Sequence, residues 1–365
     1  MEEPKKEKAR YVGIDLGKKT YNVAIVGKGG KPAMSNGETF ETGRQRLYKK
    51  LRRTDIVGLE AGNMAFIMAK EIEAAVGCRV YVLNPSHLPL IYGSMKKTDK
   101  EDSLKLARII EYFPEDRLPL VPLPSDKEIM RRKILSYYRR AQQSRTRAIN
   151  QLHGLFVSQG ITTIKKADLS TSESRMKAVK ALSGLELEEA DYLVACLQAQ
   201  EQRIAALKLR IKEESAEDGE IKRLQSVPGV GPLTAFAFAA HVAAERFENA
   251  SQVSNYLGLV PRVYISGDTV RYGRITKRGN SYLRAFLVQA SWSLVLSKDG
   301  GKLKDRFYYM TVEKSISKKK AIVAVARRLA ELLYALMKYG ADYEPRPFMP
   351  KMRGAEELAR LAMCA

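Results

Sequence analysis

The sequence predicts a mixed α/β domain at the amino terminus and a mostly helical chain after it. Three observations carry that expectation. Short apolar runs alternate with helical periodicity over residues 10–120, prolines crowd residues 113–126, and long helical patterns follow them.

Tyr11-Val12-Gly13-Ile14 reads as a strand ending at Asp15. Tyr21 to Val26 is a second strand after the Gly17-Lys18-Lys19-Thr20 turn, so the two open the domain as a hairpin. A third strand is expected near Glu38-Thr39-Phe40, and a basic helix from Gly43 to Arg53. Ile56-Val57-Gly58-Leu59 gives another strand, ending at Glu60. Ala61-Gly62 then leads into a helix that starts near Asn63 or Met64 and runs to Val76. The strand Arg79 to Leu83 stops at Asn84-Pro85-Ser86. A helix from Asp99 to about Tyr112 carries Asp99 and Asp102 on one face, with Glu101 pointing elsewhere. Pro114, Pro119, Pro122 and Pro124 mark a domain boundary.

Asp15, Glu60, Asp99 and Asp102 therefore stand in the order and settings that a ribonuclease-H-like fold uses to hold divalent metal against a phosphodiester. Mg²⁺ prefers carboxylate oxygens and water and takes one or two carboxylates per ion, so four acids suit one or two ions. Two metals roughly 3.5–4 Å apart activate the attacking oxygen and stabilise the leaving one. A purely structural reading exists for part of the set: Thr98 with Glu101 forms a capping box, and acids in a first helical turn complement the helix dipole. That reading leaves Asp15 and Glu60 unexplained, because a carboxylate ending an apolar strand has no cap to make.

Lysine and arginine number 63 against 41 acids in 365 residues, a formal charge of +22, so a polyanionic partner is expected. No apolar run is long enough to span a bilayer and Met1-Glu2-Glu3-Pro4-Lys5 does not begin a signal peptide, which points to the cytoplasm and away from membrane. Cys78, Cys196 and Cys364, like His87, His153 and His241, are too dispersed for a zinc site or disulfide framework.

Beyond the boundary, Arg131, Arg132, Lys133, Arg139, Arg140, Arg145 and Arg147 crowd a helix that also holds Tyr137 and Tyr138. Such density suits phosphate, and tyrosines can stack on unpaired bases; a solvated basic face with core tyrosines is the alternative. Leu193, Leu197, Ile204, Leu207 and Ile211 form a short heptad seam, for a helix partner in this chain or another. Ser215 to Gly219 breaks that helix. Pro228-Gly229-Val230-Gly231 then resembles the turn of a helix-hairpin-helix element, whose glycines let amides approach phosphate, although a turn between packed helices needs no ligand. Ser266 precedes Gly267 amid Arg262, Arg271, Arg274, Lys277, Arg278 and Arg284, and guanidinium groups stabilise charge developing on phosphate. Taken alone, Ser266-Gly267 is an ordinary turn pair.

The order Ile14-Asp15, Leu59-Glu60-Ala61, Lys97-Thr98-Asp99-x-x-Asp102-Ser103, Pro228-Gly229-Val230-Gly231, Gly258-Leu259-Val260-Pro261-Arg262, Ser266-Gly267 and Lys277-Arg278-Gly279-Asn280 resembles the one-ten group of insertion-sequence transposases, the bridge-RNA-guided DEDD recombinases. The resemblance runs from about residue 10 to about 340, through Ala321 to Arg328. It departs after Glu60, where Ala61-Gly62-Asn63-Met64 replaces the family's Ala-Thr-Gly and aromatic. It implies a RuvC-like domain over 1–120, a helical linker and coiled coil over 121–215, a mainly helical serine transposase domain over 216–345 and a tail over 346–365. It further implies an Mg²⁺-binding tetrad of Asp15, Glu60, Asp99 and Asp102, with Ser266 as the nucleophile that joins DNA. The implied partners are donor and target DNA, a noncoding guide RNA, and further copies in a dimer or tetramer. Two rival readings are a metal-dependent nuclease of the Holliday-junction resolvase kind, which needs the acids and no serine, and a non-enzymatic basic RNA-binding scaffold, which would tolerate loss of all four acids.

Overall fold

The computed structural model describes residues 9–27, 31–62, 64–85, 87–88, 99–267 and 269–345, and the side chains of Asp99 and Lys100 fall outside that description, as do Asn63, Thr98 and the tail over 346–365. The chain divides into two compact units, residues 1–125 and 126–365.

The first unit is built on a five-stranded sheet in the order β3-β2-β1-β4-β5. Strands β1 (Arg10–Leu16), β2 (Thr20–Gly27) and β3 (Ala33–Glu38) are antiparallel neighbours, while β4 (Ile56–Glu60) and β5 (Arg79–Leu83) run parallel to β1. Alternation within β1 and β4 sorts their side chains. Val12, Ile14, Val57 and Leu59 turn to one face and pack there with α1 (Glu41–Tyr48) and α2 (Ala65–Val76). The other face receives α3 (Asp99–Tyr112) through Leu106, Ile109 and Ile110. The proline-rich connection covers the β5 edge: Val121 N donates to Val82 O at 2.7 Å and Asn84 N to Pro119 O at 2.8 Å, satisfying a strand edge that would otherwise be bare.

Two expectations shift. The third strand ends at Glu38, ahead of the Thr39-Phe40 pair expected within it. Helix α1 stops at Tyr48 instead of Arg53, because Lys50 N and Leu51 N bond back three residues, to Leu47 O and Tyr48 O, and so tighten the chain into a turn.

The second unit begins with two long helices, α4 (Asp126–Ser158) and α6 (Gly184–Glu217), bridged by α5 (Ser172–Val179). They are antiparallel: Arg131 pairs with Asp218, Arg145 Nε with Glu201 Oε1 at 2.9 Å, and Gln159 Nε2 with Glu186 Oε1 at 2.8 Å. The heptad seam is consumed inside the chain. Leu193 and Leu197 pack with Leu152 and Phe156 of α4, and Ile211 joins Ile134 and Leu135. Next come α7 (Gly219–Leu224), α8 (Pro232–His241), α9 (Ala250–Tyr256), a hairpin of β6 (Pro261–Ser266) and β7 (Thr269–Ile275), α10 (Ser281–Leu296), α11 (Gly301–Tyr308) and α12 (Lys318–Tyr339). Helix α8, with residues 234–240 buried, is apolar on all sides and sits in the middle of the largest core. The β6–β7 hairpin, in a region expected to be mainly helical, forms a two-stranded sheet of its own among the described residues.

Candidate functional site

Asp15 and Glu60 are neighbours. The parallel register joins Gly13 to Gly58 and Ile14 to Leu59, so the next residues, Asp15 and Glu60, stand side by side at the carboxyl ends of adjacent strands, roughly 4.8 Å apart across the ladder. Period-two alternation puts them on the same face as Gly13 and Gly58, the face that α3 covers. Both glycines matter. A Cβ on Gly13 would lie 2.0 Å from Ser103 O and 2.4 Å from Ala107 N, and one on Gly58 would lie 3.2 Å from Ile110. The bare backbone at these positions lets α3 press against the sheet. Gly13 meets Ser103 and Ala107 while Gly58 meets Leu106 and Ile110, and Tyr11 and Ile56, at the strands' starts, pack against the cluster that holds Leu106, Ile109 and Ile110. Helix α3 therefore runs against the direction of β1, and its first turn, with Asp99 and Asp102, lies at the strand ends that carry Asp15 and Glu60. The repeated pattern Val12-Gly13-Ile14-Asp15 and Val57-Gly58-Leu59-Glu60 is the sequence signal for this device, in its glycines as well as its acids.

Asp102 Oδ1 accepts from Lys105 Nζ at 3.0 Å, so an ammonium already balances that carboxylate. Among the described residues, no three acidic, histidine or cysteine side chains close into a metal-binding cluster, and the side chain of Asp99 lies outside those residues. The donor set, carboxylate oxygen alone with no sulfur or imidazole, fits a hard divalent cation such as Mg²⁺.

The structure sorts the arginines of α4. Arg131 is buried, paired to Asp218 and set over the ring of Phe236 at 5.8 Å, so it holds the fold and is withdrawn from any nucleic-acid face. Arg132 Nε donates to Ala240 O at 2.7 Å, and Arg145 is tied to Glu201 and to Ser170 O. Lys133, Arg139, Arg140 and Arg147 are exposed. Tyr138 is core, whereas Tyr137 is exposed and flanked by Arg140 at 4.9 Å and Arg203 of α6 at 5.9 Å.

Gly229 has φ +83°, and a Cβ there would lie 2.6 Å from both Ala290 O and Leu294 N of α10. This glycine serves helix packing. Gly231 precedes α8 with open space around it.

Ser266 sits exposed at the tip of the β6–β7 hairpin, opposite Thr269, with Gly267 at φ +53° in the turn; Asp268 lies outside the described residues. Tyr264 pairs with Arg271, and alternation places Arg262, Tyr264 and Arg271 on the face of Ser266 and Thr269. Arg274 lies at the hairpin's base, beyond a register shift. Lys277 and Arg278 are exposed in the next loop, which Gly258 supports at a distance no side chain allows: a Cβ would fall 2.2 Å from Arg278 O. Arg284 Nη1 donates to Leu257 O at 3.1 Å and to Arg278 O at 2.6 Å, so it buttresses this loop and is not free for phosphate.

A half-buried pair that no sequence pattern marks holds the same loop. Asn280 Oδ1 accepts from Tyr282 N and Leu283 N to start α10, which turns Asn280 Nδ2 toward His241 Nε2 at 3.0 Å. The ring nitrogen must then be the acceptor, and His241 neutral. Burial first, and the Arg132 charge second, push its pKa down to about 4.

Residues 221–308 match the profile described as "Transposase IS116/IS110/IS902 family", and residues 12–159 match a second transposase profile, of the DEDD type found in IS110. The chain is 27% identical over 342 residues to the "Probable family 20 transposase" of Pseudomonas aeruginosa, covering 92% of this chain and 98% of that protein. It is also 26% identical over 267 residues to the transposase for insertion sequence element IS1111A of Coxiella burnetii, 72% of each chain, and 27% identical over 292 residues to that for IS1328 of Yersinia enterocolitica.

Proposed function

The chain carries both domains of the IS110-type insertion-sequence transposases and belongs to that family, and on that premise we propose that it cuts and rejoins donor and target DNA through a serine-linked intermediate at an Mg²⁺-dependent centre, guided by a noncoding RNA. The convergence of Asp15, Glu60 and the first turn of α3 carries this reading. The strand order β3-β2-β1-β4-β5, with three antiparallel strands followed by two parallel ones, supports a ribonuclease-H-like, RuvC-like assignment of the first unit.

Asp15, Glu60, Asp99 and Asp102 would hold the metal, which when bound supplies Lewis-acid polarisation of the scissile phosphate. Ser266 Oγ attacks phosphorus, forming a serine–phosphate ester as the bond from phosphorus to one sugar oxygen breaks; that oxygen leaves as a hydroxyl, so the proton given up by the serine is balanced by the one it takes up. The intermediate therefore conserves the phosphodiester bond and rejoining needs no external energy. Arg262 and Arg271, on the serine's own hairpin face, stabilise charge building on the phosphate oxygens. The acids and the serine lie in different units, and we assign a complete centre to a dimer or tetramer in which copies of the chain share these parts. Residues 121–215 and 216–345 act as separate functional parts, and all of them but residues 121–125 belong to the second unit. Lys133, Arg139, Arg140 and Arg147, with Tyr137 among them, form the RNA-binding face, and base pairing by the RNA supplies sequence choice.

The test is trapping on denaturing gels with native element DNA and flanking RNA. Wild-type protein yields a covalent adduct, Ser266→Ala yields none while binding DNA normally, and Asp15→Asn, Glu60→Gln, Asp99→Asn and Asp102→Asn each abolish recombination in folded protein. Cleavage that persists in Ser266→Ala and fails in the acid variants would establish the resolvase-like nuclease instead. Full activity in any two acid variants would defeat the tetrad.

A further inference from the structure

The carboxylate end of the sheet carries a second feature, a rim formed by the β1–β2 turn and the segment joining β3 to α1. Thr39 is buried at 6% exposure while its neighbour Phe40 stands 61% exposed, the reverse of what transfer from water favours. The inversion is built into the backbone. Thr39 N donates to Lys19 O at 2.9 Å, Thr39 Oγ1 donates to Lys18 O at 3.0 Å, and Thr39 O accepts from Arg44 Nη1 at 2.8 Å. The turn itself is closed by Gly17 N to Thr20 O at 2.9 Å. Phe40 is thus anchored through its neighbour, with its ring held in water. Lys18 and Lys19 are exposed on the turn that begins just after Asp15 and Leu16, and among the described residues neither has an ion-pair partner.

An exposed ring on a segment tied by hydrogen bonds to a turn with two exposed lysines suits an unpaired nucleotide: every base offers a π-face to an aromatic side chain, and ammonium groups follow the phosphates. Glu38 and Glu41 flank the segment, so the ring carries most of the contact. In a duplex the base faces are already covered by their neighbours, which makes the rim selective for single strands.

We propose that Phe40, with Lys18 and Lys19, is the stacking platform for an unpaired nucleotide of the strand whose phosphodiester lies over Asp15 and Glu60. The proposal rests on the metal-acid reading for the identity of that strand, whereas the binding it describes needs no metal. Full-length protein, with a chelator present to prevent cleavage, is irradiated with a single-stranded oligodeoxynucleotide carrying 5-iododeoxyuridine, and the cross-linked peptide is mapped. Affinity for the same sequence, single-stranded and duplex, is measured by anisotropy. Cross-linking at Phe40 is expected, with a roughly five- to hundred-fold loss of single-strand affinity in Phe40→Ala, little change for duplex, and retention in Phe40→Tyr. Lys18→Ala and Lys19→Ala each flatten the single-strand salt slope by up to about 0.7. Cross-links confined to other residues, or an equal effect of Phe40→Ala on both DNA forms, overturn the proposal. Failure of the metal centre would instead leave the cross-link intact and appear only in the cleavage assays of the acid variants.

Discussion

Gly13 controls how closely the acids of the first unit can assemble. A methyl group there meets backbone atoms of α3, so Gly13→Ala must move the helix and is expected to cost about 1–3 kcal/mol by overpacking. Denaturant unfolding checks that figure. Recombination activity should fall further than stability alone explains, because Asp99 and Asp102 move with the helix. Gly58→Ala meets only the end of Ile110 and α3 carbonyl oxygen at 3.6 Å, so it should be the milder change in both measurements. His241 gives a pH signature. Its folded pKa, near 4, lies below the 6.5 of an ordinary histidine, so above pH 6.5 neither state holds the proton and its stabilisation is complete. As pH falls from 6.5 toward 4, the unfolded chain takes up a proton that the folded chain refuses, and stability is lost until both states are protonated. Thermal melting should therefore show a decline over that window that is shallower in His241→Gln, whose amide oxygen still accepts from Asn280. An identical pH profile in the variant would remove His241 from that account.

At the scale of elements, the α4–α6 pair shows where a pattern was readable and its use was not. The apolar steps from Leu193 to Ile211 define a seam, and periodicity alone cannot say whether its partner belongs to the same chain. The partner is α4, since Leu152 and Phe156 fill one end and Ile134 and Leu135 the other. Replacing Leu197, Ile204 and Ile211 together by aspartate should thus unfold the helix pair, at a cost of at least about 2–5 kcal/mol for the buried leucine alone. Loss of helical circular dichroism is the expected result; retained helicity with a smaller particle in light scattering would return the seam to subunit assembly. The β6–β7 hairpin was not legible as a hairpin. Val263, Ile265, Val270 and Tyr272 do alternate with polar residues, but they remain exposed, at 48–72%, so they lack the burial that normally accompanies such a pattern.

At the scale of the whole molecule, a charge of +22 makes nucleic-acid affinity steeply dependent on salt. The structure divides that charge into groups committed to the fold, such as Arg131, Arg145 and Arg284, and groups facing water. Arg139→Ala and Arg147→Ala should flatten the RNA salt slope by up to about 0.7–0.9 per lost contact. Arg131→Ala should instead destabilise the protein by about 1–3 kcal/mol, because it removes a buried partner of Asp218, whose carboxyl burial would raise and which Lys127, Ile221 N and Arg131 together hold at a pKa of about 2. Recombination should also disappear after ribonuclease treatment and return with the flanking RNA; undiminished activity without RNA would exclude guidance for this chain.

The sequence by itself determined the α/β start, the helical remainder and the acids at strand ends, because each is written in local periodicity and in residues whose chemistry has few other uses. Tertiary structure decided what local pattern cannot encode: that Asp15 and Glu60 share a face, that α3 approaches them over two glycines, and that Arg131 serves the core while Arg139 serves the surface. Strand register and helix partner are set by contacts between residues far apart in the chain. A basic side chain reads the same in sequence whether a buried carboxylate or water receives it.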